Sequence, residues 1–402
     1  MPTRNYLNLL FLPAGLAFLC MPQRYPELRN QLGINNGFFG TCVSMMLIGS
    51  IIGLITSSSI IHKIGISKSM VIGILGQFSF LATFPHLHQP LYYIATNICF
   101  GMCATLLHIS INTQGIHMQK SSSKLLLPTL HGFWGIGAIS VSLISALTSR
   151  YLSLCWYADL VAILGATIAF IGYFLLKPDL VDAKKEYDEV PTVNLKTVIA
   201  SFKMFPALSI SQILIVQSEF SAGDWSSIFV RNSIGVSIAK SSICFMVFMS
   251  VMTTMRLNAT RINHYFSEKL LIKWLTRIGA VGFGLFLVLA SLVAKSHLNL
   301  AYLLTLVAYI FLGLGNSFMI PFLFSIASRQ SAVMPGMIVA SLGLVVSSLS
   351  FFIRIIISWV AQFTNLTIAL MIPTLMLFIG SRLHRFAKDE RSEEHTSELQ
   401  SH

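Results

Sequence analysis

Apolar residues in this chain gather in long blocks, and polar residues collect in short clusters between them. Each block runs for eighteen residues or more, enough for a helix to cross a bilayer core of about 30 Å. The blocks predict twelve transmembrane helices, over 6–23, 36–60, 69–87, 92–116, 127–149, 153–176, 205–227, 236–257, 271–294, 298–325, 336–362 and 364–381. A transmembrane barrel would instead show short segments of alternating hydrophobicity. The first block follows a single Arg and precedes no small-residue cleavage pattern, so it reads as a retained span and not as a signal peptide.

Composition agrees with this pattern. Hydrophobic residues make up 54% of the chain, charged residues 10%, and mean hydropathy is +0.74. A soluble domain carries about 25% charged residues. The net charge of +12 invites a nucleic-acid reading, but topology accounts for it. With the N-terminus in the cytoplasm, about twenty of the 27 Lys and Arg fall on that side, among them Lys63, Lys68, Arg256, Lys273 and Arg382. Six fall outside (Arg24, Arg29, Arg150, Arg231, Lys240 and Lys295), and Arg354 lies within a span. The expectation is a multi-pass protein of the cytoplasmic, or inner, membrane with both termini in the cytoplasm. The lipid bilayer is its surroundings, and no nucleic acid is implied. Six cysteines all fall in predicted spans, without a C-x-x-C or a His cluster, and read as small apolar fillers.

The chain divides in two. Residues 177–196, KPDLVDAKKEYDEVPTVNLK, form its longest internal polar interval, and six spans lie on either side. Each half has a basic turn between its second and third spans, SSIIHKIGISK (58–68) and ATRINHYFSEK (259–269). This correspondence predicts parallel repeats: an N-terminal bundle over 1–176, a cytoplasmic linker over 177–204 and a C-terminal bundle over 205–388. The last twelve residues, RSEEHTSELQSH (391–402), read like a translated sequencing adapter and stand outside functional reasoning.

The layout resembles the major facilitator superfamily, and within it a fucose-permease-like, sugar-transporter-like bacterial inner-membrane subgroup. Four stretches carry the resemblance: RYPELRNQLGINNGFFG (24–40), NTQGIHMQ (112–119), LLPTLHGFWGIGA (126–138) and EFSAGDWSSIFVR (219–231). With the layout it covers about residues 6 to 388. The implied fold is an all-α membrane protein of twelve helices in two six-helix pseudo-symmetric bundles. The second-to-third-span loop departs from the family pattern, with Ser58 at a usual glycine, His62 at a usual aspartate and Thr260 at the corresponding acid position of the second half.

Ionisable groups inside hydrocarbon are costly and mark pathways or partners. No Asp or Glu stands between Glu27 and Asp159. A proton-coupled symporter, as fucose permeases are, would have to titrate Glu219, Asp224, Asp159 or a histidine. Glu219 is the first choice for coupling or gating, and its depth in the seventh span suggests a pair with Arg354 of the eleventh. Asp224 and Trp225, near the outer end of the seventh span, suit an outer gate, substrate contact or interfacial anchoring. In the fourth span His108 and Asn112 share a face, whereas Gln114 lies roughly 200° round from Asn112. In the tenth, Tyr302, Tyr309 and Asn316 recur every seven residues. Rings and amides in such a stripe suit a neutral polyol, and ordinary packing is the alternative. His131, Gly132 and Trp134 open the fifth span and read mainly as packing at the interface between halves, with His131 as a proton relay the lesser option.

The expected function is secondary active transport of a small polar solute, a sugar or polyol among the candidates. The resemblance implies alternating access and coupling to protons. Substrate contacts are expected at His108, Asn112, Gln114, Tyr302, Tyr309, Asn316 and Trp225, and coupling or gating at Glu219, Asp224 and Arg354. Neither cofactor nor metal is expected, nor an enzyme, and the chain is expected to be monomeric. No G-x-x-x-x-G-K-[ST] occurs, so ATP does not drive it directly. Efflux of amphipathic compounds is the rival within transport. A non-transporting sensor or assembly factor is the rival outside it.

Overall fold

The computed structural model describes residues 2–122, 126–180, 206–318 and 335–382. Most of the linker and the whole of 391–402 lie outside them. Helix accounts for nearly all of the described chain, as hydrocarbon demands: backbone groups without water must bond within their own segment. Among the described residues twelve long helices follow in order: α1 (Pro2–Phe18), α2 (Asn36–Ile64), α3 (Ile66–Thr83), α4 (Pro90–Ser122), α5 (Leu127–Thr148), α6 (Leu154–Leu176), α7 (Pro206–Phe229), α8 (Ile238–Leu257), α9 (Glu268–Val293), α10 (Leu298–Asn316), α11 (Pro335–Phe363) and α12 (Leu366–Gly380).

Local sequence sets the ends. Asn35, Ser153, Ser237, Ser267 and Asn365 cap α2, α6, α8, α9 and α12, each side chain accepting an N–H three residues on. Gly65, at φ +84°, makes the abrupt turn from α2 into α3. Ten helical segments among the described residues are long and apolar enough to span a membrane. The other two long helices are α7, whose apolar run is broken by Gln212, Gln217, Glu219 and Asp224, and α12, described over fifteen residues. Exposed apolar side chains such as Leu91, Phe174 and Phe352 form the lipid-facing surface.

The packing repeats itself. In the first half α1 packs on α5 and α6, α4 on α2 and α3, and α3 on α6. In the second half α7 packs on α11 and α12, α10 on α8 and α9, and α9 on α12. Each pairing maps onto its counterpart by adding six to the helix numbers. The two large contacts between halves, α2 with α11 and α5 with α8, are exchanged by the same operation. This is the pseudo-two-fold arrangement of two six-helix bundles. An even number of crossings puts both ends of the bundle on one side, here called the terminal face, with the far face opposite.

Candidate functional site

The two halves meet in two differently built zones. At the far face they are sealed. The Asn36 N–H donates to Gln362 Oε1 at 3.0 Å, and Ser227 Oγ donates to the Pro22 carbonyl at 2.6 Å. Arg24, fully buried, chelates Glu27, donates from Nε to Ser145 Oγ at 3.2 Å and lies over the Tyr157 ring. Ser145 Oγ in turn meets Ser242 Oγ of the other half at 2.9 Å. Gly40 is essential to the fit: a Cβ there would stand 1.9 Å from Ser358 Oγ and 3.0 Å from the Trp225 ring.

Asp224 and Arg354 lie in this seal as a hydrogen-bonded ion pair, their side chains 13% and 5% exposed. The Arg354 guanidinium also sits over the Phe220 ring, 5.2 Å from its centroid. Among the described residues its Nε and Nη1 have no hydrogen-bond partner. One step along the same helices, Gln217 Nε2 donates to Ser350 Oγ at 2.5 Å. Trp225 is 2% exposed. It therefore plugs the seam between halves and does not anchor at a lipid interface.

The second zone lies toward the terminal face. Glu219 Oε2 accepts from Arg256 Nη2 at 3.2 Å, with the two side chains 20% and 28% exposed. Arg256 also donates from Nε to the Ser317 carbonyl at 3.1 Å and from Nη2 to the Asn316 carbonyl at 3.4 Å. Asn316 accepts from Ser218 Oγ at 2.7 Å and donates to the Leu312 carbonyl. Helices α7, α8 and α10 thus converge on one polar knot. In the first half two imidazoles, His108 of α4 and His131 of α5, are exposed. Their centroids are 5.7 Å apart, and both stand edge-on to the buried Phe11 ring of α1. Arg256 lies within electrostatic reach of His131.

Several sequence expectations need correction. Glu219 does not pair with Arg354. Arg354 meets Asp224 instead, and residues 219 and 224 are five apart and so about 140° round the helix. Asp224 faces α11, and Glu219 faces α8. Its partner Arg256, assigned from sequence to the basic cytoplasmic surface, lies at the end of α8 and folds its guanidinium back into the bundle. The α10 stripe does not line one cavity. Tyr302 bonds the Lys240 carbonyl under the Lys240 ammonium, Tyr309 is buried edge-on to Phe283, and Asn316 is 1% exposed in its knot. Gln114 is fully buried and donates to the Asp179 carbonyl at 3.0 Å, beyond the end of α6. Asn112, part-exposed, uses its Nδ2 to donate to the backbone carbonyl of His108 one turn back on α4, at 2.7 Å. His131 and Arg256 are the site's residues that the sequence reading undervalued. The absence of acids before Asp159 was the available signal for the histidine.

Two pseudo-symmetric helix bundles, sealed at one face and meeting over a polar, part-exposed cluster, define a carrier that works across a membrane. The chain belongs to the major facilitator superfamily, whose family model matches residues 7–353. It is 22% identical over 372 residues to an uncharacterised MFS-type transporter of Yersinia pestis, covering 92% of each chain. Its fold is that of the nucleoside transporter NupG, with TM-score 0.68, 12% identity and coverage of 96% of this chain and 98% of that one. A D-xylose-proton symporter gives TM-score 0.68 at 16% identity, covering 96% and 97%. The protein is an MFS transporter.

Proposed function

We propose that this protein moves a small polar solute by alternating access, and that Glu219 is the carboxylate coupling the movement to protons. The observation that carries the reading is the Glu219–Arg256 pair. It is an ion pair inside the bundle, only 20% and 28% exposed, on the terminal side of a seal at the far face. A carboxylate so placed exchanges between a cationic partner and a proton as the cleft opens and closes. His108 and Asn112 are the substrate contacts this reading favours, and the terminal face is the cytoplasmic one by the excess of Lys and Arg there. Similarity to a nucleoside transporter and to a xylose–proton symporter makes neutral, hydroxyl-rich solutes the first class to screen.

A thermal-shift screen of purified protein against sugars, polyols, nucleosides and dyes identifies the class, since a bound ligand stabilises by mass action. In proteoliposomes loaded with that solute, Glu219→Gln abolishes proton-driven uptake and leaves counterflow exchange intact. If both persist unchanged, Glu219 is not the coupling group. If no solute gives flux, the transport reading itself is lost.

A further inference from the structure

Opposite Glu219 stands a group the coupling reading leaves unused. His108 and His131 come from different helices, 5.7 Å apart between ring centroids, and both are exposed within the bundle. Among the described residues neither imidazole contacts a carboxylate. Within electrostatic reach of His131 is Arg256 of the other half. That arginine sits beside the tightest part of the α5–α8 seam. Gly132, next to His131, packs on Leu257, next to Arg256: a Cβ at 132 would stand 2.9 Å from Leu257 Cδ2. One turn on, Gly135 packs on Thr253, with 2.7 Å from a Cβ to Oγ1. His131 and the guanidinium therefore flank a close helix contact between Gly135 and Thr253.

We infer that His108 and His131 form a proton-binding site on the first half of the cleft, and that a proton there repels Arg256 and parts the α5–α8 seam at the terminal face. The surrounding groups suit this. Phe11 of α1 supplies an uncharged ring, and Tyr6, the titratable side chain described on α1, has its backbone against Gly172 of α6. On α4, His117 is nine residues beyond His108 and so on the opposite side. The rest of α5 carries no ionisable group. From α8 comes Arg256, and from α7 Glu219, already engaged by it. From α10 come only the uncharged Asn316 and Ser317. One added proton on His131 thus meets a cation across the seam, and among the described residues no carboxylate contacts either ring. The open seam binds that proton better than the closed one, so acid favours opening. Histidine is the side chain whose charge changes within the physiological range.

The inference draws on the alternating-access reading for its purpose, but its test needs neither substrate nor flux. Spin labels on Ile136 of α5 and Thr254 of α8, both exposed, are placed in the full chain with its six cysteines replaced. Dipolar distances are then recorded from about pH 8 to about pH 5. The long-distance population grows as pH falls, its ratio to the short one changing by up to about tenfold per pH unit. The His108→Gln/His131→Gln double variant loses this response, and Glu219→Gln keeps it with a more acid midpoint, because an unpaired Arg256 repels more strongly. Arg256→Gln, on the other half and leaving both imidazoles in place, also abolishes it and decides the matter if the double variant does not fold. A wild-type distance indifferent to pH, or a response unchanged in either the histidine or the arginine variant, overturns the proposal. Failure of solute flux alone would instead sink the transport reading.

Discussion

Helix α7 carries two acids five residues apart, and each found an arginine, yet the two pairs are opposites. Asp224–Arg354 is almost closed off, with side chains 13% and 5% exposed and two guanidinium nitrogens without a hydrogen-bond partner among the described residues. Glu219–Arg256 is 20% and 28% exposed, and its arginine is steadied by two backbone carbonyls. Removing one member of a buried pair strands the other charge, whereas a part-exposed pair is backed by water. The first pair is therefore built to hold the far seam, and the second is free to exchange partners.

That contrast can be broken at four points. The largest effect is expected from Asp224→Asn, which strands Arg354 and costs about 3 kcal/mol of stability. Thermal unfolding in detergent reads this, and Asp224→Leu/Arg354→Met should recover most of the loss. Gly40→Val wedges a side chain into Ser358 and Trp225 and costs about 1–3 kcal/mol. A hydrogen-exchange experiment should find the loosened amides at the far-face ends of α2 and α11. Gln114→Ala removes a buried donor from the Asp179 carbonyl, for about 1 kcal/mol. Solute affinity should stay constant in this variant and fall in Asn112→Ala, separating the two sides of α4. Glu219→Gln should lower stability least, by under about 1 kcal/mol, while transport coupling fails. A melting temperature as depressed as that of Asp224→Asn would make the two pairs alike and remove the distinction.

The span pattern was legible because each helix had to be apolar over nearly its whole length. The blocks at 36–60, 153–176 and 236–257 correspond to α2, α6 and α8 within a few residues. Even the polar interruption of α7 was visible as SEFSAGDWSS. The candidate site was legible residue by residue but not as an assembly. Glu219, Asp224 and Arg354 stood out as charges within apolar runs, and His108 and Asn112 as one helical face. Counting along helices yields depth, so Arg354 looked a fair partner for Glu219. It does not yield the direction in which each side chain leaves a helix already packed among others. Arg256 was hidden for a further reason: a long side chain at a helix end carries its charge several ångströms from where its Cα is counted.

Sequence alone determined that the chain crosses a membrane many times, that it folds as two corresponding halves and that its buried charges are few. Hydrocarbon admits no other use of such apolar lengths, and the repeat is written into the order of the spans. Tertiary structure alone decided which acid meets which arginine, that Trp225 and Gly40 close the far seam, and that His131 of one half lies within electrostatic reach of Arg256 of the other. Those are matters of azimuth and reach between helices distant in the chain, and they exist only once both bundles are packed against each other.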